Sequence, residues 1–125
     1  MLVVRDVPRS SSFYQRLLGA ESGHGGDEYE QVVRDGEIVL QLHRIDVEDH
    51  HGPLADRDQP LGNGFLVWFE VADFERAAEA ARASGAEVVT EPHVNPNALQ
   101  PEIWLRDPDG YLVVVAGPSE YRPRA

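Results

Sequence analysis

VRDVPRSSSFYQRLLGAE at residues 4–21 and VADFERAAEAARASGAE at residues 71–87 carry one pattern twice. Each starts on a short apolar run, reaches an aspartate (Asp6, Asp73), continues with apolar residues at helical spacing and stops at Gly-Ala-Glu (Gly19-Ala20-Glu21, Gly85-Ala86-Glu87). A carboxylate just ahead of a helix accepts a hydrogen bond from its unpaired N–H groups, and glycine adopts the left-handed turn that ends one. Arg9 and Arg76 also correspond, as do Arg34-Asp35 before Gly36 and Arg106-Asp107 before Gly110. The chain is therefore expected to repeat one supersecondary unit.

Working outward, residues 2–7 form a β-branched strand, and residues 10–18 a helix with Phe13, Tyr14, Leu17 and Leu18 on one face. Strands follow at 20–23, 29–34 and 37–44, with Asp35-Gly36 as a hairpin turn. Residues 45–63 are rich in Asp, His, Gly and Pro without periodicity and read as a linking loop. The pattern then restarts with a strand at 65–71, a helix at 74–84 and strands at 87–91, 101–106 and 111–116. Asp107-Pro108-Asp109-Gly110 turns the last pair, and the polar tail at 118–125 is expected to fray. The prediction is an α+β chain of two βαβββ modules, about 1–45 and 64–117, forming a single domain over 1–125. A module this small cannot cover both faces of its sheet, so the sheets are expected to curl around a cleft with the helices outside.

The 125 residues suffice for one hydrophobic core, with 42% hydrophobic and 26% charged residues, as in ordinary globular chains. Eleven basic against 22 acidic residues give a formal charge of -11, which argues against nucleic acid and anionic membranes as partners. A cationic ligand would be attracted, although acidic surfaces also serve solubility. The absence of cysteine excludes disulfides and thiolate metal sites. No apolar stretch has membrane-spanning length and no basic leader opens the sequence, so the cytoplasm is the expected location. Walker loops, dinucleotide glycine fingerprints, His-Glu-x-x-His and nucleophile elbows are all missing.

The aspartate-led helix with Ser12-Phe13-Tyr14 and Leu17-Leu18-Gly19, followed by a repeat ending in Arg106-Asp107-Pro108-Asp109-Gly110-Tyr111, resembles the vicinal oxygen chelate superfamily. That group contains glyoxalases, bleomycin-resistance proteins, fosfomycin-resistance enzymes and extradiol dioxygenases. The resemblance implies the paired βαβββ fold and a homodimer; it does not fix a reaction. In metal-dependent members it implies one ligand on the first and one on the last strand of each module. Here those positions hold Gln41, Leu66 and Val114, with the fourth falling ahead of Met1. Apolar side chains offer a cation no lone pair, so neither the usual metal nor another cofactor is expected.

Strand alternation puts positions of the same parity on one face. This selects Gln41 and His43, then Leu66, Trp68 and Glu70, then Leu112, Val114 and Ala116 as lining the cleft. By resemblance to fosfomycin-resistance proteins, the positions three and five before the Asp-Pro-Asp-Gly turn nominate Trp104 and Glu102 as substrate contacts. Two tryptophans on facing strands suit a small organic ligand that is flat, aromatic or cationic, and they equally suit simple filling of a narrowed cleft. His43 with Glu102 would form an acid–base pair, or His43 is a satisfied buried histidine; Glu70 is a base or a half-solvated strand end. Asp46, Glu48, Asp49, His50 and His51 form a cluster of possible ligands whose spacing matches no ordered site, so it reads rather as a hydrated acidic loop able to act as a lid. His93, Asn95 and Asn97 read as parts of Pro-Asn turns. A relocated metal site of His43, His93 and Glu102 is the alternative to none.

Two functions stay open at this point. One is metal-independent sequestration of a small molecule, as in bleomycin-resistance proteins involved in antibiotic resistance. The other is a lyase, isomerase or dioxygenase using a displaced metal or the candidate catalytic residues His43 and Glu102. Nothing specific supports a third, an interaction module, beyond the loop at 45–63.

Overall fold

The computed structural model describes residues 1–120, apart from the side chain of Asp49. The end of the tail whose fraying was expected, residues 121–125, lies outside the described residues. The chain divides into two compact units, Met1–Asn63 and Gly64–Ala125. Each is a four-stranded mixed sheet with one helix.

In the first unit β1 (Leu2–Val4) leads into α1 (Val7–Leu18), then β2 (Glu21–His24), β3 (Tyr29–Arg34) and β4 (Glu37–Arg44). The sheet order is β1-β4-β3-β2, with β1 parallel to β4 and the other pairs antiparallel. The first strand is shorter than expected and the helix starts earlier. Asp6 caps α1 by accepting a hydrogen bond from Arg9 N at 3.0 Å, and Pro8 sits in the first turn, where its missing N–H has no partner to lose. Gly19 closes the helix at φ 63°.

Leu17, Tyr14 and Val7 on α1 are buried on the same side as Leu2, Val4, Val32 and Leu42 of the sheet. Each such aliphatic group contributes about 1.5–3 kcal/mol when fully removed from water. Glu30 also lies on this side, and its buried carboxylate accepts the hydroxyls of Ser11 and Ser22, each at 2.8 Å. That arrangement ties α1 to the β2–β3 edge and leaves the charge satisfied.

The second unit repeats the plan with β5 (Leu66–Glu70), α2 (Phe74–Ala83), β6 (Val88–Asn95), β7 (Gln100–Arg106) and β8 (Leu112–Ala116), in the order β5-β8-β7-β6. Asp73 caps α2 through Arg76 N at 3.0 Å, the counterpart of Asp6 and Arg9. Three buried alanines of α2 (Ala77, Ala78, Ala81) let its backbone lie close to the sheet, whose helix side carries Ile103, Leu105, Val113 and Val115 with no exposed surface. Asp107 holds the last turn from inside: Asp109 N and Tyr111 N both donate to its Oδ1 at 2.9 Å, and Gly110 turns at φ 93°.

A strand of the second unit differs from its prediction as well. β6 continues through Pro92 to Asn95, so His93 and Asn95 are strand residues and not parts of a Pro-Asn turn. β6 is an edge strand, where proline removes no inner ladder bond. Among the described residues no helix is long and apolar enough to cross a membrane.

Candidate functional site

The helix covers one face of each sheet, and the alternate side chains emerge on the other. In the second unit the register shows which of them share a row. Trp68 pairs with Val114, Val114 with Trp104, and Trp104 with Thr90, so both indoles stand on one face with Val114 between them. The next row is Glu70, Ala116, Glu102 and His93, and the row on the other side holds Leu66, Leu112 and Arg106. The sequence-nominated Leu66, Trp68, Glu70, Glu102, Trp104 and Val114 therefore lie on a single surface of one unit. The tryptophans flank β8 within one sheet.

The electrostatic anchor of this surface is Glu102, only 5% exposed. Its Oε1 accepts Asn95 Nδ2 at 3.0 Å and its Oε2 accepts the Trp104 indole N–H at 3.1 Å. Asn95 is held in turn, because its Oδ1 accepts Asn97 N at 2.9 Å. The carboxylate thus fixes the Trp104 ring and keeps a negative charge beside it. His93 Nε2 stands 3.8 Å from Oε2, while His93 Nδ1 donates to the Glu91 carbonyl at 2.9 Å. Trp68 is 47% exposed and Leu66 40%, a large apolar surface next to a buried carboxylate.

In the first unit the corresponding face carries Gln41 and His43, together with two residues not nominated from sequence. Tyr29 pairs with His43 and Gln31 with Gln41, and the Tyr29 hydroxyl donates to Gln41 Oε1 at 2.6 Å. His43, 8% exposed, has Nδ1 at 2.9 Å from the Arg44 carbonyl and Nε2 at 3.1 Å from Nε2 of His51. His51 comes from a 3-10 turn, Asp49–His51, in the loop expected to be hydrated and able to act as a lid. Of the alternative metal set, His93 and Glu102 meet across β6 and β7 within the second unit, and within the first unit the imidazole facing His43 is His51.

The usual metal positions of the resembled superfamily do not fit a cation here. Val114 is 1% exposed and purely alkyl, Leu66 is alkyl, and the Gln41 amide oxygen is taken by Tyr29. Among the described residues no three His, Cys, Asp or Glu side chains are grouped to hold a metal ion. A hollow of about 260 Å³ in the first unit, lined by Arg5, Asp6, Val7, Pro8, Asp27 and Arg44, holds none of the nominated residues. Its Arg44 hydrogen-bonds Asp46 and lies 3.7 Å from Glu28. The Asp46 hydrogen bond raises the guanidinium pKa, and the same bond holds the Asp46 carboxyl below its ordinary value.

Comparison with known proteins places this geometry in a family. The model of the Glyoxalase/Bleomycin resistance protein/Dioxygenase superfamily matches residues 1–115. Among solved structures, TioX from Micromonospora sp. ML1 superposes with a TM-score of 0.70 at 19% identity, covering 93% of each chain. A glyoxalase/bleomycin resistance protein/dioxygenase family enzyme from Burkholderia phytofirmans PsJN gives 0.71 at 16% identity, again over 93% of each. A glyoxalase/bleomycin resistance protein/dioxygenase from Nocardioides gives 0.70 at 23% identity, over 99% of this chain and 83% of that one. These identities speak for the fold alone; the family match extends over nearly the whole sequence. The chain belongs to the Glyoxalase/Bleomycin resistance protein/Dioxygenase superfamily.

Proposed function

We propose that this protein sequesters a small, flat, cationic organic molecule on the tryptophan face of its second unit, without the metal that other superfamily members use, in the manner of a bleomycin-resistance protein acting in antibiotic resistance. The observation that carries the reading is the row Trp68–Val114–Trp104 with the Glu102 carboxylate buried against the Trp104 indole. Indole faces attract cations, by up to about 2 kcal/mol when water is excluded, and a fixed carboxylate beside them adds to that field. Leu66 and Glu70 extend the surface, and Gln41 and His43 on the corresponding face of the first unit belong to the same proposal. A cytoplasmic homodimer is part of it too; sedimentation showing only monomer would remove the dimer.

The chain contains two tryptophans, and both stand on this face, so its intrinsic emission reports on the site directly. Titration with cationic aromatic and glycopeptide compounds is expected to quench or blue-shift that emission. At 100 times Kd the same ligand raises stability by about 2.7 kcal/mol. Emission and melting temperature that stay constant across cationic and neutral panels would sink the reading. A second reading, proton transfer, is favoured by the 3.8 Å approach of His93 to Glu102. Turnover of a bound compound that vanishes in both His93→Ala and Glu102→Gln, with binding kept, would select it.

A further inference from the structure

We propose that His43 and His51 form a two-histidine site for a divalent transition-metal cation in the first unit, separate from the positions where metal-dependent relatives hold theirs. His43 Nδ1 lies 2.9 Å from the Arg44 carbonyl and His51 Nδ1 lies 2.6 Å from the Gly52 carbonyl. A carbonyl oxygen only accepts, so both rings carry their hydrogen on Nδ1 and donate it there. In the neutral rings both Nε2 atoms are then bare lone pairs, and they face each other at 3.1 Å. Something positive belongs between them.

Two candidates exist, a proton and a metal ion, and the geometry separates them. A shared proton needs a nearly straight N–H···N line. The ring centroids are only 4.8 Å apart at an interplanar angle of 71°, less than the nitrogen separation plus two ring radii, so the rings meet bent. A metal ion that takes both lone pairs sits beside the line joining the two nitrogens, a position that a bent meeting of the rings allows. With metal–nitrogen bonds of about 2.0–2.1 Å, a 3.1 Å nitrogen separation corresponds to an angle near 100° at the metal, between square-planar and tetrahedral values. The Nδ1–H to carbonyl bonds are also what orients a ligating histidine and raises its basicity. No third His, Cys, Asp or Glu joins the pair among the described residues, which leaves the remaining coordination positions to water or to a donor atom of a bound molecule. Imidazole donors select Cu²⁺, Ni²⁺ or Zn²⁺ over Mg²⁺ and Ca²⁺.

The test is calorimetric titration of the intact protein with Zn²⁺, Ni²⁺ and Mg²⁺ at about pH 7.5, where an ordinary imidazole is neutral. One Zn²⁺ or Ni²⁺ per chain is expected and no Mg²⁺. His51→Ala, an exposed loop change, should weaken uptake about tenfold or more, and His43→Gln likewise, whereas His50→Ala and His93→Ala should leave it as it is. Nitrogen NMR should show Zn²⁺ shifting Nε2 of both residues, with folding of each variant checked by circular dichroism. No uptake by the wild type, uptake undiminished in both His51→Ala and His43→Gln, or a Nε2 pair that shares a proton and ignores Zn²⁺ would each overturn the proposal. The ligand reading is tested on the emission of Trp68 and Trp104 and the metal site on the ring nitrogens of His43 and His51, so failure of one is told apart from failure of the other.

Discussion

Glu102→Gln tests the ligand reading at its electrostatic anchor. The substitution keeps size and removes one charge from a side chain that is 5% exposed. A cation about 5 Å from that carboxylate, at an effective dielectric near 20, would lose roughly 3 kcal/mol of attraction; water on the open side of the sheet brings this to about 1–2 kcal/mol, or roughly 5–30-fold in Kd. The fold is affected as well. Both partners of the carboxylate, Asn95 Nδ2 and Trp104 Nε1, are donors, and the glutamine NH2 would meet one of them. Asn95 cannot simply turn over, because its Oδ1 already accepts Asn97 N. Loss of one charge-assisted bond therefore costs about 1.5–3 kcal/mol of stability. The assay that separates the two effects compares a cationic aromatic compound with its neutral isostere by tryptophan quenching, in wild type and variant. The ratio of the two affinities should fall by the stated factor in Glu102→Gln, since any structural change common to both ligands cancels. A ratio equal to that of the wild type in a folded variant refutes the argument.

Two further outcomes follow from the turn and the loop. Asp107→Ala strands two N–H groups, of Asp109 and Tyr111, that both donate to one buried carboxylate oxygen; urea unfolding should show a loss of about 3 kcal/mol or more, and Asp107→Asn, which keeps an acceptor, a clearly smaller one. The Asp46 carboxyl, held down by its hydrogen bond from Arg44, should titrate below the ordinary 3.8 by carbon NMR and move back up in Arg44→Gln. Because its folded value is depressed, whatever this exposed pair adds to loop order is present above the ordinary carboxylate value and is lost as pH falls through the lowered one.

Local signals made the fold legible. Asp6 and Asp73 cap their helices, Gly19 ends the first helix and Gly85, at φ 73°, follows the second, and Asp35-Gly36 turns the hairpin with both residues at positive φ. These features depend on residues close in sequence, and so does the alternation that put Trp68 and Val114 on one face, whereas Trp104 and Glu102 were nominated by the family resemblance. Register over a distance was not legible. The Asp35-Gly36 turn pairs Arg34 with Glu37, and an unbroken ladder from there would set Tyr29 opposite Leu42, on the helix side. A bulge at Val32 and Val33 shifts the pairing by one residue and brings Tyr29 opposite His43 and Gln31 opposite Gln41. Pro92 hid the length of β6 in a similar way: read as a strand stop, it concealed that His93 and Asn95 lie beside Glu102. His51 stood in the linker cluster singled out from the sequence, but nothing signalled its meeting with His43, which depends on how an aperiodic loop folds back.

Along β7 and β8 neighbouring residues answer to different demands. Ile103, Leu105, Val113 and Val115 are committed to the helix, while Glu102, Trp104, Leu112 and Val114 turn the other way. On the proposed function, stability and recognition are written on alternate letters of the same strands. A combinatorial library confined to Leu66, Trp68, Thr90 and Trp104 would vary the proposed binding face and leave the α2 packing as it stands, a division of labour that suits this second unit as a scaffold for new binders.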